Sequence, residues 1–150
     1  MSTRCNIIIK DRDTRILLYH HHDGYPEGVG AMLKDWLKER DNPYSKHWDD
    51  EGIATALVKR GIPYIGHDWE TKEPEWKVDD EYECASCIHD DVVYAYVINC
   101  WTKTLRCFRI PYYGFNRYKM FKREHLVDIP DAEQPTEEEL RIANSKKNQQ

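Results

Sequence analysis

The chain has 150 residues, the span of one globular domain, and carries 22 Lys and Arg against 27 Asp and Glu for a net charge of −5. That acidic balance gives no general attraction to phosphate backbones or anionic membrane surfaces, which excludes polymeric nucleic acid and membrane as partners. Aromatic residues at 12%, with five Trp and ten Tyr, exclude a disordered chain and demand a packed core.

Residues 5–10 are apolar and β-branched, and after Asp11, Arg12 and Asp13 a second such run covers 15–22, so the two read as a β-hairpin. Side chains alternate along a strand, placing Ile16, Leu18, His20 and His22 on one face and Leu17, Tyr19, His21 and Asp23 on the other. Gly24 and Pro26 turn the chain into a helix over 27–39, whose Val29, Met32, Leu33, Trp36 and Leu37 form an inner stripe that Asp41-Asn42-Pro43 ends. A second helix is predicted over 51–60, capped by Asp49 or Asp50 and closed by Gly61, with Ile53, Ala54, Leu57 and Val58 inward. Pro63 confines a short strand at 62–65 to an edge.

Residues 66–80 are acidic, contain Trp69 and Trp76, show no sustained period and read as a long surface loop. Strands are expected over 82–88, 92–99 and 104–110, the last two forming a second hairpin across the turn at 100–103. Residues 111–114 end the sheet, and 116–126 mixes Arg117, Tyr118, Lys119, Phe121, Lys122 and Arg123 into the one basic stretch. Thr136 and Glu139 make a capping-box pattern ahead of a short helix reaching about residue 145, and residues 146–150 fray. The expected fold is α+β: an antiparallel sheet of about five strands, two helices inserted after the first hairpin, and a short C-terminal helix. Residues 1–130 form the domain and 131–150 the helix and frayed tail.

Five cysteines, at 5, 84, 87, 100 and 107, are an odd number without a paired framework, which points to reduced thiols and a cytoplasmic protein. The apolar run at 7–9 is too short for a signal peptide, and no run of about 18 apolar residues is present.

Four constellations bear on chemistry. The histidine run at 20–22, followed by Asp23, Gly24, Tyr25 and Pro26, offers His20 with His22 or, better, His21 with Asp23 as metal ligands needing a third from elsewhere; polar packing at the turn is the competing account. Cys84 and Cys87 have the spacing of half a zinc knuckle, with Cys100, Cys107 or His89 as further ligands, or of a redox motif, which should open a helix and not lie on a strand, against the simpler reading of buried reduced cysteines. His89, Asp90 and Asp91 offer a base or cation ligands, against ordinary turn chemistry. Tyr94 and Tyr96, with Arg106 or Arg109 across the second hairpin, supply stacking faces and phosphate clamps, against aromatic pairs that cover a core.

The opening Ser2-Thr3-Arg4-Cys5-Asn6-Ile7, the block Tyr19-His20-His21-His22-Asp23-Gly24-Tyr25-Pro26 and the later His89-Asp90-Asp91-Val92-Val93-Tyr94 resemble a family of small uncharacterised proteins encoded by phages, prophages and mobile elements. The matching positions are Thr3, Arg4, Tyr19, His21, Asp23, Gly24, Tyr25 and Pro26; the late block departs, with Asp90 where Gly is common and Val93 where Glu is common. Small cytosolic phage-type proteins without a catalytic motif are often inhibitors or sponges of host defence, and that context, with the aromatic and arginine residues above, gives the expectation of a non-enzymatic, homo-oligomeric counter-defence protein that sequesters a small anionic nucleotide-derived signal. Arg4, His21, Asp23 and Tyr25 would shape its pocket and Arg106 or Arg109 would clamp phosphate, with neither metal nor cofactor. The alternatives are a metal-dependent hydrolase or phosphodiesterase using His21 and Asp23 with His89, Asp90 or Asp91, and an acidic module that blocks a host enzyme through Trp69 and Trp76.

Overall fold

The computed structural model describes residues 2–39, 47–89, 91–110 and 121–149. Its central element is β1 (Cys5–Asp11), which pairs antiparallel with β2 (Thr14–His20) through the expected hairpin turn at Arg12 and Asp13. The chain then leaves the sheet. Pro26 opens one wide π-type turn (Pro26–Gly30), continued by α1 (Ala31–Lys38), and α2 (Asp50–Lys59) follows. Asp49 caps α2 by accepting from the Gly52 N–H at 2.9 Å, and Gly61 ends it at φ +72, a conformation that costs other residues a steric penalty.

The region read as an acidic loop is instead half of a hairpin, in which β3 (Ile62–His67) pairs antiparallel with β4 (Pro74–Asp79). Its two strands form a sheet of their own, so Pro63 does lie on an edge. The hairpin packs against α3 (Glu137–Asn148), and β4, in which Pro74 alone is buried, carries no long apolar run. Trp76 donates its indole N–H to Asn144 at 2.8 Å, and Lys146 pairs with Glu73 at 2.8 Å. The capping box at the start of α3 is formed in both directions, Thr136 with Glu139.

After β5 (Tyr82–Cys84), which pairs with β2, the chain crosses to β6 (Tyr94–Asn99), β7 (Thr104–Arg109) and the short β8 (Leu126–Val127). The main sheet has six strands in the order β5-β2-β1-β6-β7-β8. It is mixed, which corrects the expectation of a purely antiparallel sheet of about five strands: β1 and β6 run parallel, with Cys5 opposite Tyr94 and Lys10 opposite Asn99. A parallel pair needs a crossover, and the two helices with the β3–β4 hairpin provide one.

The core lies between one sheet face and the helices. Ile7, Ile9, Leu18, Tyr96 and Ile98 meet Val29, Leu33, Leu37, Ile53 and Leu57, all nearly or fully buried. Burying each large aliphatic side chain contributes roughly 1.5–3 kcal/mol. The other face carries a smaller cluster of Tyr19, Val92, Ala95 and Ile110, covered by the segment after β5. Asn6, fully buried there, donates to the Leu18 carbonyl at 2.9 Å and accepts from the His89 N–H at 3.0 Å, so it ties that segment to the sheet. Among the described residues no helix is long and apolar enough to cross a membrane.

The thiols divide by location. Cys5, Cys100 and Cys107 are buried, and burial pushes the last two up to about 12. Cys84 and Cys87 are exposed, which corrects their reading as buried residues: β5 is only three residues long, and Cys87 lies past its end.

Candidate functional site

The strand β2 stops at His20 because the next residues leave extended geometry, with Asp23 in the left-handed region at φ +55. The Gly24 N–H donates to the Thr3 carbonyl at 2.9 Å, and the Tyr96 hydroxyl donates to the Gly24 carbonyl at 2.7 Å. A Cβ on Gly24 would stand 2.9 Å from the Cys5 Cβ, and one on Gly28 would stand 2.3 Å from the Asp23 carbonyl oxygen. Both glycines thus answer to close approach of other atoms. The Val29 N–H closes the loop by donating to that same Asp23 carbonyl at 2.8 Å.

Opposite this loop runs the segment from Asp79 to Glu83, and the three histidines take three acids from it in alternation. His20 Nε2 lies 2.8 Å from Asp79, His21 Nε2 2.9 Å from Glu83, and His22 Nδ1 2.9 Å from Glu81. The alternation follows from the antiparallel pairing of β2 with β5, in which His20 faces Tyr82. His20 is the buried member, and its Nδ1 accepts the His22 backbone N–H at 3.3 Å. The proton of this ring therefore sits on Nε2, aimed at the Asp79 carboxylate.

These residues wall a cleft of about 450 Å³ between the Asp23–Val29 loop and the β3–β4 hairpin. Its polar lining is His20 and His22 with the carboxylates of Asp23, Asp79, Asp80 and Glu81. Tyr25, Tyr64, Val29, Met32 and Val78 supply apolar surface, and among the described lining residues there is no lysine or arginine. The acidic field registers on both phenols. Asp23 foremost, then burial, raises Tyr25, whose hydroxyl donates to Asp23 at 3.2 Å, and burial followed by Asp79, Asp23 and Glu81 raises Tyr64.

A second polar cluster occupies the opposite sheet face. Arg4 Nη1 donates to Asp91 at 3.0 Å, and the Tyr19 hydroxyl donates to the same carboxylate oxygen at 2.9 Å. Burial and the bond to Asp91 push the Tyr19 phenol up to about 12. The Tyr19 ring meets His89 and His21 edge-on at 4.1 and 4.6 Å.

The sequence-predicted site residues consequently separate. Asp23 and Tyr25 line the cleft, together with His20 and His22, the pair that alternation had put on one face. His21 and Arg4 belong to the opposite face, and His21 pairs with Glu83, not with Asp23, because the strand has ended before Asp23. Arg106, exposed, pairs in register with Val97 on that opposite face. Arg109 is also exposed and shares a row with Tyr94, Cys5 and His20, three strands from His20 or roughly 14 Å at the usual strand spacing. Asp90 and residues 116–120 of the basic stretch lie outside the described residues. Trp69 stands at the β3–β4 tip, 82% exposed, with Lys72 Nζ 4.9 Å from its ring.

The acids Asp79, Asp80 and Glu81 escaped sequence reasoning, although carboxylates at 79, 81 and 83 carry the period-2 spacing that matches the histidine run. Comparison with protein-family models, with curated proteins and with solved structures finds no match to this chain.

Proposed function

We propose that the protein is a binding protein for a small organic cation, an ammonium or guanidinium compound, seated in the cleft beside Tyr25 and Tyr64. The observation that carries this reading is the sign of the lining: four carboxylates and, among the described lining residues, no lysine or arginine around about 450 Å³. That volume suits a small molecule. Two unit charges 4 Å apart interact by about 1 kcal/mol in water and about 4 kcal/mol near a protein surface, so several carboxylates attract an ammonium group and repel a phosphate. Tyrosine faces add a cation–π contribution of roughly 0.5–2 kcal/mol.

The anionic nucleotide expected from sequence needs arginines at the same place. Arg106 and Arg109 stand elsewhere on the sheet, and Arg4 is engaged with Asp91. The charge of the cleft therefore favours the cation.

Thermal unfolding in EDTA with agmatine, putrescine and, separately, cyclic dinucleotides tests the reading. A ligand at a hundredfold excess over its Kd adds about 2.7 kcal/mol, which for a domain of this size raises Tm by roughly 5–10 °C. A rise with an amine that disappears in the Asp23→Asn, Asp80→Asn double variant supports the proposal. A rise with the nucleotides alone, or with no compound at all, overturns it.

A further inference from the structure

Along the cleft wall, from the buried His20 out to the exposed Glu81, His20, Asp79 and Glu81 each offer one ligand atom, and these atoms all lie within 4.8 Å of one another. We propose that this trio is a binding site for one divalent transition-metal ion. The inference goes beyond the organic cation proposed above and does not depend on it: Asp23 and Asp80 remain for an ammonium group when Asp79 and Glu81 hold a metal.

Chemistry and packing both support it. Metal–nitrogen and metal–oxygen bonds of about 2.0–2.2 Å hold neighbouring ligand atoms roughly 3–3.5 Å apart, so the trio needs to draw in by about 1 Å. His20 Nε2 and Asp79 already stand 2.8 Å apart, and both are anchored, His20 at the buried end of β2 and Asp79 at the end of β4. The closing movement falls to Glu81, which lies between the strands and is exposed. His22 holds the Glu81 carboxylate at 2.9 Å, the outer-shell contact that commonly orients a metal-ligating carboxylate. An imidazole with two carboxylates suits manganese, zinc or iron, and three protein ligands leave coordination positions open toward the cleft.

A second observation points to the same place. The Tyr82 hydroxyl is buried, the residue being only 3% exposed, and has no hydrogen-bond partner. Its ring lies 4.7 Å from that of His20. A buried hydroxyl without a partner costs about 1–3 kcal/mol, and after burial itself the group that most raises this phenol is the Asp79 carboxylate, so Asp79 is the acid that faces it. With a metal bound at Nε2, His20 no longer donates to Asp79, and a carboxylate oxygen is left to accept from the phenol. Binding through His20 Nε2 moves the ring proton to Nδ1 and gives up the weak 3.3 Å contact from the His22 N–H.

Manganese(II) is the probe, because the exposed Cys84 and Cys87 would compete for zinc but not for this harder ion. Titration of metal-stripped full-length protein, followed by the EPR signal of free manganese, is expected to show one bound equivalent. Glu81→Gln, at an exposed position, should leave the urea midpoint in EDTA unchanged and weaken binding tenfold or more, while His21→Ala on the opposite face leaves binding within twofold. No binding by the wild-type protein, a loss under tenfold in Glu81→Gln, or an equal loss in His21→Ala overturns the site. Because the amine measurement is made in EDTA, each proposal fails or stands on its own result.

Discussion

Both carboxylate oxygens of Asp79 lie within hydrogen-bonding distance of the same His20 nitrogen, at 2.8 and 2.9 Å, and this contact links the last residue of the β3–β4 hairpin to the last residue of β2. His20 is 2% exposed and the Asp79 side chain 11% exposed, so the bond is sheltered from water. Surface ion pairs contribute little by comparison, and the neighbouring His21–Glu83 and His22–Glu81 pairs, each about half exposed, belong to that weaker class.

Removing one partner leaves the other buried and unsatisfied. Asp79→Ala is expected to destabilise the fold by about 1.5–3 kcal/mol, whereas Glu83→Ala changes stability by less than about 0.5 kcal/mol. Urea unfolding followed by tryptophan fluorescence measures both, and equal effects of the two substitutions would contradict the distinction.

Gly28 gives a steric prediction. An added Cβ would meet the Asp23 carbonyl oxygen at 2.3 Å, a backbone atom that cannot swing aside. Gly28→Ala should therefore cost about 1–3 kcal/mol, even though alanine is the better helix former. A variant as stable as the wild type in calorimetry would show that the loop opens freely.

Alkaline pH should unfold the protein early. Cys100 and Cys107 are held up to about 12 from an ordinary value of 9.0, Tyr19 up to about 12 from 10.0, and burial raises Cys5, Tyr82 and Tyr96 as well. All of these groups keep their protons in the folded state while the unfolded chain sheds them, so the stability they protect is complete below pH about 8.5 and is lost as pH rises toward 12. The expected Tm is level from neutrality to pH 8.5 and falls steadily above it. Cys100→Ala should make that fall shallower.

Thiol labelling should resolve two populations. Cys84 and Cys87 are exposed, and Cys5, Cys100 and Cys107 are buried. A thiol reagent at neutral pH is expected to modify two sites per chain quickly and three more only at the rate of unfolding. Five fast sites would mean that the core opens far more readily than its packing implies.

Local signals made much of this fold legible. Period-2 alternation found the β1–β2 and β6–β7 hairpins and put His20 and His22 on a different face from Tyr19 and His21, and cap chemistry at Asp49, Gly61, Thr136 and Glu139 located the ends of α2 and the start of α3. The parallel pairing of β1 with β6 leaves no local trace, since strand direction is decided by the crossover. Strand β4 was hidden for another reason: Pro74 is its one buried residue, so its composition reads as solvent-exposed. With β4 went Asp79, and hence half of the cleft, while the histidine run already marked the other half.

The central place of β1 also governs how the molecule comes into being. Cys5 lies opposite His20 on one side and Tyr94 on the other, partners about fifteen and about ninety residues away. The first hairpin can close while the chain is still being made, but the strand beside it has to wait until residue 99 has left the ribosome. Until then an apolar strand edge of Ile7, Ile8 and Ile9 stands open to other chains. A parallel pairing between strands so far apart in sequence raises the contact order of the fold, and folding slower than that of a chain of local hairpins is the expected result.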